Sequence, residues 1–308
     1  MRSLRFPVRL VGLVVLALGI GGGTAVAQKV AGFDDGYRQQ YEKWKADLEQ
    51  DRRENWLTLA GLFWLKPGEN SFGSAPDNAV VFPEQSAPAH AGVLSLAGRD
   101  VKVKFAPGVK AMLAGAASAD GTLLPDITGH PTAVEMGRLH FEVIQRGERT
   151  GIRLWDLERA EAKSYRGATF FPLNPADRVI ATWVPYDKPK TVRVPNVLGD
   201  VSEAQAPGEV RSTIDGKAIS LVAVSGQPDK GFFLIFSDPT RKTETYPAGR
   251  FLETGPVKDG KVVLDFNYAY NPPCALTPYA TCPLPPEQNK LLVAVPAGEK
   301  YDRHQGHP

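Results

Sequence analysis

The sequence predicts a mainly β fold: a single sandwich- or barrel-like antiparallel domain preceded by an amphipathic helix. Three observations carry this expectation. From Trp56 onward, short apolar or alternating runs follow one another, separated by Gly, Pro, Asn and Asp. One stretch near the N-terminus carries a helical period. No second long helical pattern interrupts the strand-like runs, so the strands must bury their apolar faces on each other.

The elements follow in chain order. Residues 1–27, "MRSLRFPVRLVGLVVLALGIGGGTAVA", have Arg2, Arg5 and Arg9, then a short apolar run, then Ala25-Val26-Ala27. Charged start, short apolar middle and A-x-A end read as a secretory signal peptide, cleaved before Gln28. The alternative is an uncleaved N-terminal anchor, although the apolar run is short for a bilayer span. The expected location is outside the cytoplasm, most simply a bacterial periplasm. Removing the three arginines leaves 33 basic against 34 acidic residues, a formal charge of −1. A chain so balanced, with no local run of Lys and Arg, lacks the field that nucleic acid requires as a partner.

Residues 28–55 hold the helix. In "DDGYRQQYEKWKADLEQDRRENW", Tyr37, Tyr41, Trp44 and Leu48 fall on one stripe, and Asp34 or Asp35 is placed to cap it. Its expected role is a strap on the fold. Residues 56–303 form the β domain, with a split near residue 200 as the second option. "VKVKF", "LHFEVIQR", "TGIRLWDL", "RVIATWVP", "TVRVPNVLG", "AISLVAV", "GFFLIFSD", "KVVLDFNYAY" and "NKLLVAVPAG" each read as a strand. Asp120-Gly121, Asp215-Gly216 and Asp259-Gly260 read as turns between them. Residues 304–308 form a mobile tail.

Several strong catalytic signals are missing from the sequence. There is no G-x-S-x-G elbow, no H-E-x-x-H and no P-loop, so no cofactor and no metal are expected. The two cysteines, Cys274 and Cys282, stand in "NPPCALTPYATCPLPP". A metal clip would need partners that the scattered histidines do not supply. The spacing is not that of a C-x-x-C redox pair. In an exported chain an isolated close pair reads as a disulfide. Closing that nine-residue loop contributes roughly 2.5 kcal/mol in the loop-closure model. Six prolines stiffen the same segment. Two purposes fit such a loop: protection from proteases, or one wall of a pocket.

The residues around the loop supply candidate ligand-binding groups. Asp265 and Asn267 share a face on the strand leading into it, followed by Asn271. "FSDPTRKTETYPAGRFL" adds Asp238, Tyr246 and Arg250, and a hairpin there brings the last two back toward Phe232–Phe236. Arg153 in "RTGIRLWDLE" sits within a strand, where a buried guanidinium needs a carboxylate, from Asp265 or Asp156, or a bound anion.

"WLTLAGLFWLKPGENSFGS", "GIRLWD", "TETYPAGRFL" and "DFNYAYNPPCALTPYATCPLPPEQNKLLVAVPAGEK" resemble the bacterial family known as domain of unknown function 1684, from about Trp56 to Tyr301. The resemblance implies no reaction. It implies that "GLFWLKPGEN" and the C-terminal loop belong to one unit. Arg241-Lys242 departs from the family pattern after Asp238-Pro239-Thr240, which implies a hairpin wider than a tight turn. Two functions are carried forward. One is a pocket for a small polar or anionic ligand, with carboxylate-dependent hydrolysis as its catalytic form and Asp265 as acid or base. The other is a non-catalytic envelope protein with a protein or cell-wall partner.

Overall fold

The structure, a computed structural model, describes residues 32–302. The expected signal peptide (1–27) and tail (304–308) lie outside the described residues. Helix α1 (Asp35–Asp51) starts where the Asp34 carboxylate accepts a hydrogen bond from the Tyr37 amide at 2.7 Å. This satisfies one of the orphan N–H groups of the first turn. Of the apolar stripe, Tyr41 and Leu48 are buried and Tyr37 and Trp44 half-buried. The helix ends in a π-helical turn, Arg52–Trp56. No helix among the described residues is long and apolar enough to cross a membrane.

The fold is mainly β, with antiparallel sheets that do not close into a barrel. The described chain divides into two compact units, a finer organisation than the one-domain reading. The longest segments of the two units meet at Arg166–Gly167.

The first unit comprises Asp47–Arg166 and Leu276–Ala280. Its strands are β1 (Leu59–Trp64), β2 (Gly68–Gly73), β3 (Val80–Val81), β4 (Gly92–Ala97), β5 (Asp100–Phe105), β6 (Met112–Leu113), β7 (Ala116–Ala117), β8 (Asp120–Leu123), β9 (Val134–Met136), β10 (Leu139–Arg146) and β11 (Arg149–Asp156). They form a six-stranded sheet, β1-β11-β10-β9-β6-β7, and a five-stranded sheet, β3-β2-β4-β5-β8. Alternation works as the sequence implies. Val101, Val103 and Phe105 of β5 enter the same core as Phe141, Val143, Ile152 and Leu154 of β10 and β11. Asp120-Gly121 is the exception: it lies in β8, paired with Val103 and Lys104, and is not a turn. A Cβ at Gly121 would come within 2.5 Å of a Leu113 methyl, which would have to swing aside. A short helix, α2 (Ala160–Ser164), follows β11.

The second unit comprises 32–46, Gly167–Ala275 and 281–302. Its strands are β12 (Arg178–Pro195), β13 (Val201–Ile214), β14 (Lys217–Val222), β15 (Ser225–Gln227), β16 (Gly231–Phe236), β17 (Arg250–Glu253) and β18 (Lys261–Asp265). The sheets are β14-β13-β12-β18 and β15-β16-β17, and their apolar faces share one core containing Phe232, Phe236, Leu264 and Phe266. Asp215-Gly216 and Asp259-Gly260 do make turns, with both residues left-handed as two-residue hairpin turns require. Strand β18 pairs with β12 only from Arg178 to Thr182, so the longer strand outruns it, and Pro185, Pro189 and Pro195 stand in the excess.

The runs "RVIATWVP" and "TVRVPNVLG", read as two strands, belong to one, β12, and two further readings change. "KVVLDFNYAY" is a strand only to Asp265, whose carboxylate accepts the Asn267 amide at 3.2 Å and turns the chain into a 3-10 helix, Phe266–Tyr268. "NKLLVAVPAG" alternates in burial along Leu291–Ala297 but joins no sheet. Part of its backbone bonds to side chains instead, as described below.

Candidate functional site

Arg250 and Asp238 form the most enclosed charged pair. β17 runs back along β16 in the register Phe236↔Arg250, across a wide connection containing the 3-10 turn Pro239–Lys242. Both side chains are 1% exposed, and Arg250 Nη2 donates to Asp238 Oδ1 at 2.9 Å. The guanidinium also donates to the carbonyls of Val295 (2.9 Å) and Ala297. Asp238 in turn accepts from Thr240, through its amide and hydroxyl, and from the Val295 amide at 2.8 Å. Burial pulls the Arg250 guanidinium down from its ordinary range, and the adjacent Asp238 opposes that shift. The pair therefore holds the irregular C-terminal segment in place, supplying bonds that a neighbouring strand would otherwise provide.

Asp265 occupies a second polar group. Its side chain is 13% exposed; Oδ2 lies 3.1 Å from Arg178 Nε and accepts the Tyr37 hydroxyl at 3.0 Å, and Oδ1 accepts the Asn267 side-chain amide at 2.9 Å. The register Arg178↔Asp265 on β12 and β18 makes the ion pair a cross-strand one. Burial outweighs the bonds from Asn267, Tyr37 and Arg178 and lifts the carboxyl above its usual range. Asn267 is spent on the Asn174 backbone, donating to its carbonyl and accepting from its amide. Asn271 is buried, its amide donating to Glu299 at 2.7 Å and its side chain to the Lys300 carbonyl at 2.9 Å.

The cysteine loop is tied down on several sides. Tyr246 donates to the Cys274 carbonyl at 3.0 Å and lies 3.6 Å from the Cys274 sulfur. The Val197 amide donates to the Cys282 carbonyl, and the Leu284 amide to that of Pro195, so the loop's return leg lies against the end of β12. Gly249 has φ +104°, and a Cβ there would meet Pro285 at 2.5 Å, so only glycine lets this proline seat. The expected disulfide is not formed. Cys274 and Cys282 are both thiols, and the Cys282 sulfur accepts the Cys274 amide at 3.1 Å.

Arg153 is placed in the first unit. It stands opposite Glu142 in the β10–β11 register. Asp156 pairs instead with Arg138, at 3.1 Å. Glu142 is 1% exposed and Arg153 8%. His140 Nε2 lies 3.1 Å from Glu142 Oε1, and the His140 ring meets Trp155 edge-on at 5.1 Å. Burial acts to raise the Glu142 carboxyl, and the bond and charge of the His140 imidazole act to lower it. The alternation of "LHFEVIQR" places His140 and Glu142 on one face, so these two were readable from sequence; no pattern marked Arg178 or Glu299, and the helical stripe that holds Tyr37 did not show its bond to Asp265. A shallow depression of about 380 Å³ on the five-stranded sheet, lined in part by Ser95, Lys102, Lys104 and Thr122, contains none of the expected ligand residues.

Comparison with known proteins adds a family. A model of the family described as "Protein of unknown function (DUF1684)" matches residues 163–300, a shorter span than the resemblance read from Trp56. An uncharacterised protein of Haloarcula marismortui, solved by NMR, is 32% identical over 46% of this chain and 80% of that one, with a TM-score of 0.39. The cytoplasmic domain of the T3SS sorting platform protein PscD from P. aeruginosa is 18% identical over 36% of this chain and 81% of its own, with a TM-score of 0.21. An FHA domain, FhaA, solved in complex with the intracellular domain of Rv3910, is 12% identical over 30% of this chain and 96% of its own, with a TM-score of 0.22. No curated protein matches the chain.

Proposed function

This chain belongs to the DUF1684 family, and from that premise we propose that it is an exported, non-catalytic envelope protein that binds a protein or cell-wall polymer. One observation carries the non-catalytic part. Arg250 and Asp238, at the centre of the second unit's polar groups, are bonded to each other and to backbone. Groups so committed fix the shape of a surface; they do not offer a substrate a base or an oxyanion donor. Export is supported by Arg2, Arg5 and Arg9 ahead of a short apolar run that ends in Ala25-Val26-Ala27.

Two measurements test this. The protein recovered from the cell envelope should have the mass of a chain beginning at Gln28; a full-length chain in the cytoplasm would remove the export reading. In a thermal-shift panel of sugars, nucleotides, acyl acids and divalent cations, the mature protein should keep its Tm. A saturable rise with any of these, lost in Asp265→Asn, would replace the present reading with a ligand pocket at that carboxylate.

A second reading, a small anionic ligand held by Arg153, is favoured by one observation. Arg153, Glu142, His140 and Trp155 share a face of the six-stranded sheet, joining a cation, an oriented imidazole and an indole. On this reading a carboxylate or phosphate compound raises Tm in the parent protein and not in Arg153→Gln.

A further inference from the structure

The dithiol in the cysteine loop supports an assignment that the envelope-binding reading does not use. Cys274 is half-buried and reachable, whereas Cys282 is buried. The Cys274 amide touches the Cys282 sulfur at 3.1 Å, so the two residues are already neighbours. Closing a bond between them calls for side-chain rotation more than backbone rearrangement. The Tyr246 hydroxyl, which donates to the Cys274 carbonyl, also lies 3.6 Å from the Cys274 sulfur, so a donor stands beside that atom. Redox-active cysteines combine accessibility, a stabilised thiolate and an adjacent second thiol.

We propose that Cys274 and Cys282 are a peroxide-sensitive dithiol, in which Cys274 is oxidised first and Cys282 resolves it. In the first step the Cys274 thiolate sulfur attacks one oxygen of hydrogen peroxide. The O–O bond breaks, Cys274 becomes a sulfenic acid, and the departing hydroxide leaves as water once protonated. In the second step the Cys282 sulfur attacks the Cys274 sulfur. The S–S bond forms, the S–O bond breaks, and the hydroxyl leaves as water with the Cys282 proton. In total the two thiols lose two electrons and two protons, and one peroxide is reduced to two waters. The hydrogen bonds from Cys282 and Tyr246 hold the Cys274 thiol below its ordinary pKa against the opposing effect of burial, which suits the first step. Oxidation would fasten the two legs of the loop together where the Cys282 carbonyl receives the Val197 amide, at the tip of the β12–β13 hairpin.

The test treats the reduced full chain with hydrogen peroxide in the presence of dimedone, which traps sulfenic acids. The parent protein should lose both thiols, gain a mass lower by two hydrogens, and yield a Cys274–Cys282 cross-linked peptide within one chain. Cys282→Ser should trap dimedone at Cys274 in about ten-fold excess over any labelling of Cys274→Ser, reflecting the difference in thiolate character and access. Thermal melts of the untreated variants confirm that both are folded. The assignment is overturned if both thiols of the parent survive peroxide, if dimedone labels Cys282 in the Cys274→Ser variant equally, or if the cross-link forms between chains.

Discussion

Arg250 is a long cation placed where water does not reach, and its worth lies in what its loss would strand. Removing it leaves Asp238 without its counter-charge and the carbonyls of Val295 and Ala297 without this donor in the interior. Arg250→Ala should therefore cost about 3–5 kcal/mol in denaturant unfolding, the range for breaking a buried pair by deleting one partner. Exposed Arg241→Ala should stay within about 0.5 kcal/mol. Asp177 gives a pH signature. Burial, helped by the nearby charges of Asp215 and Asp265, raises its carboxyl to about 6. The native state then holds this proton more tightly than the unfolded chain does. Stability from this group is present at low pH and falls as pH rises from the ordinary carboxylate range through about 6. Asp177→Asn should raise Tm more at about pH 8 than at about pH 4, as read by calorimetry. At this scale the sequence showed which side chains were unusual and not which met. Arg153 was expected near Asp265 or Asp156; strand register gave it Glu142.

At the scale of elements, the helix was the most legible part. A stripe of Tyr37, Tyr41, Trp44 and Leu48 needs no knowledge of the rest of the chain, and Asp34 caps it through its own side chain. Leu48→Ala should cost about 2–5 kcal/mol by chemical denaturation, because a fully buried Leu leaves a cavity that its neighbours only partly fill. Other strands were equally plain: β5 alternates in burial as "VKVKF" suggested, and β10 has the bounds of "LHFEVIQR". β13 was missed because "VSEAQAPGEVRSTI" contains Pro207 and Gly208 and few apolar residues; its pairing with β12 overrides that local weakness. "NKLLVAVPAG" misled in the other direction. Alternating burial marks an extended chain on a core, and strand status depends on where the backbone groups bond.

For the whole molecule, a split was the second option and stood near residue 200; its place at Arg166–Gly167 was hidden, because no composition change or Gly/Ser linker marks it. Separate cores imply separable responses. Phe72→Ala, in the first core, should speed native-state hydrogen exchange in β2, β4 and β5 and leave β16 and β17 at parental rates. The prolines of β12 have a consequence for the protein in concentrated solution. From Val184 until the cysteine loop's return leg meets it at Pro195, this strand runs on without β18 beside it, and an open strand margin recruits other chains into fibrils. Pro185 and Pro189 present no N–H to such a recruit, and Lys188 and Lys190 add repelling charge. Replacing both prolines with valine should leave the monomer folded and raise light scattering with time, since the hairpin's resistance to self-association would be gone.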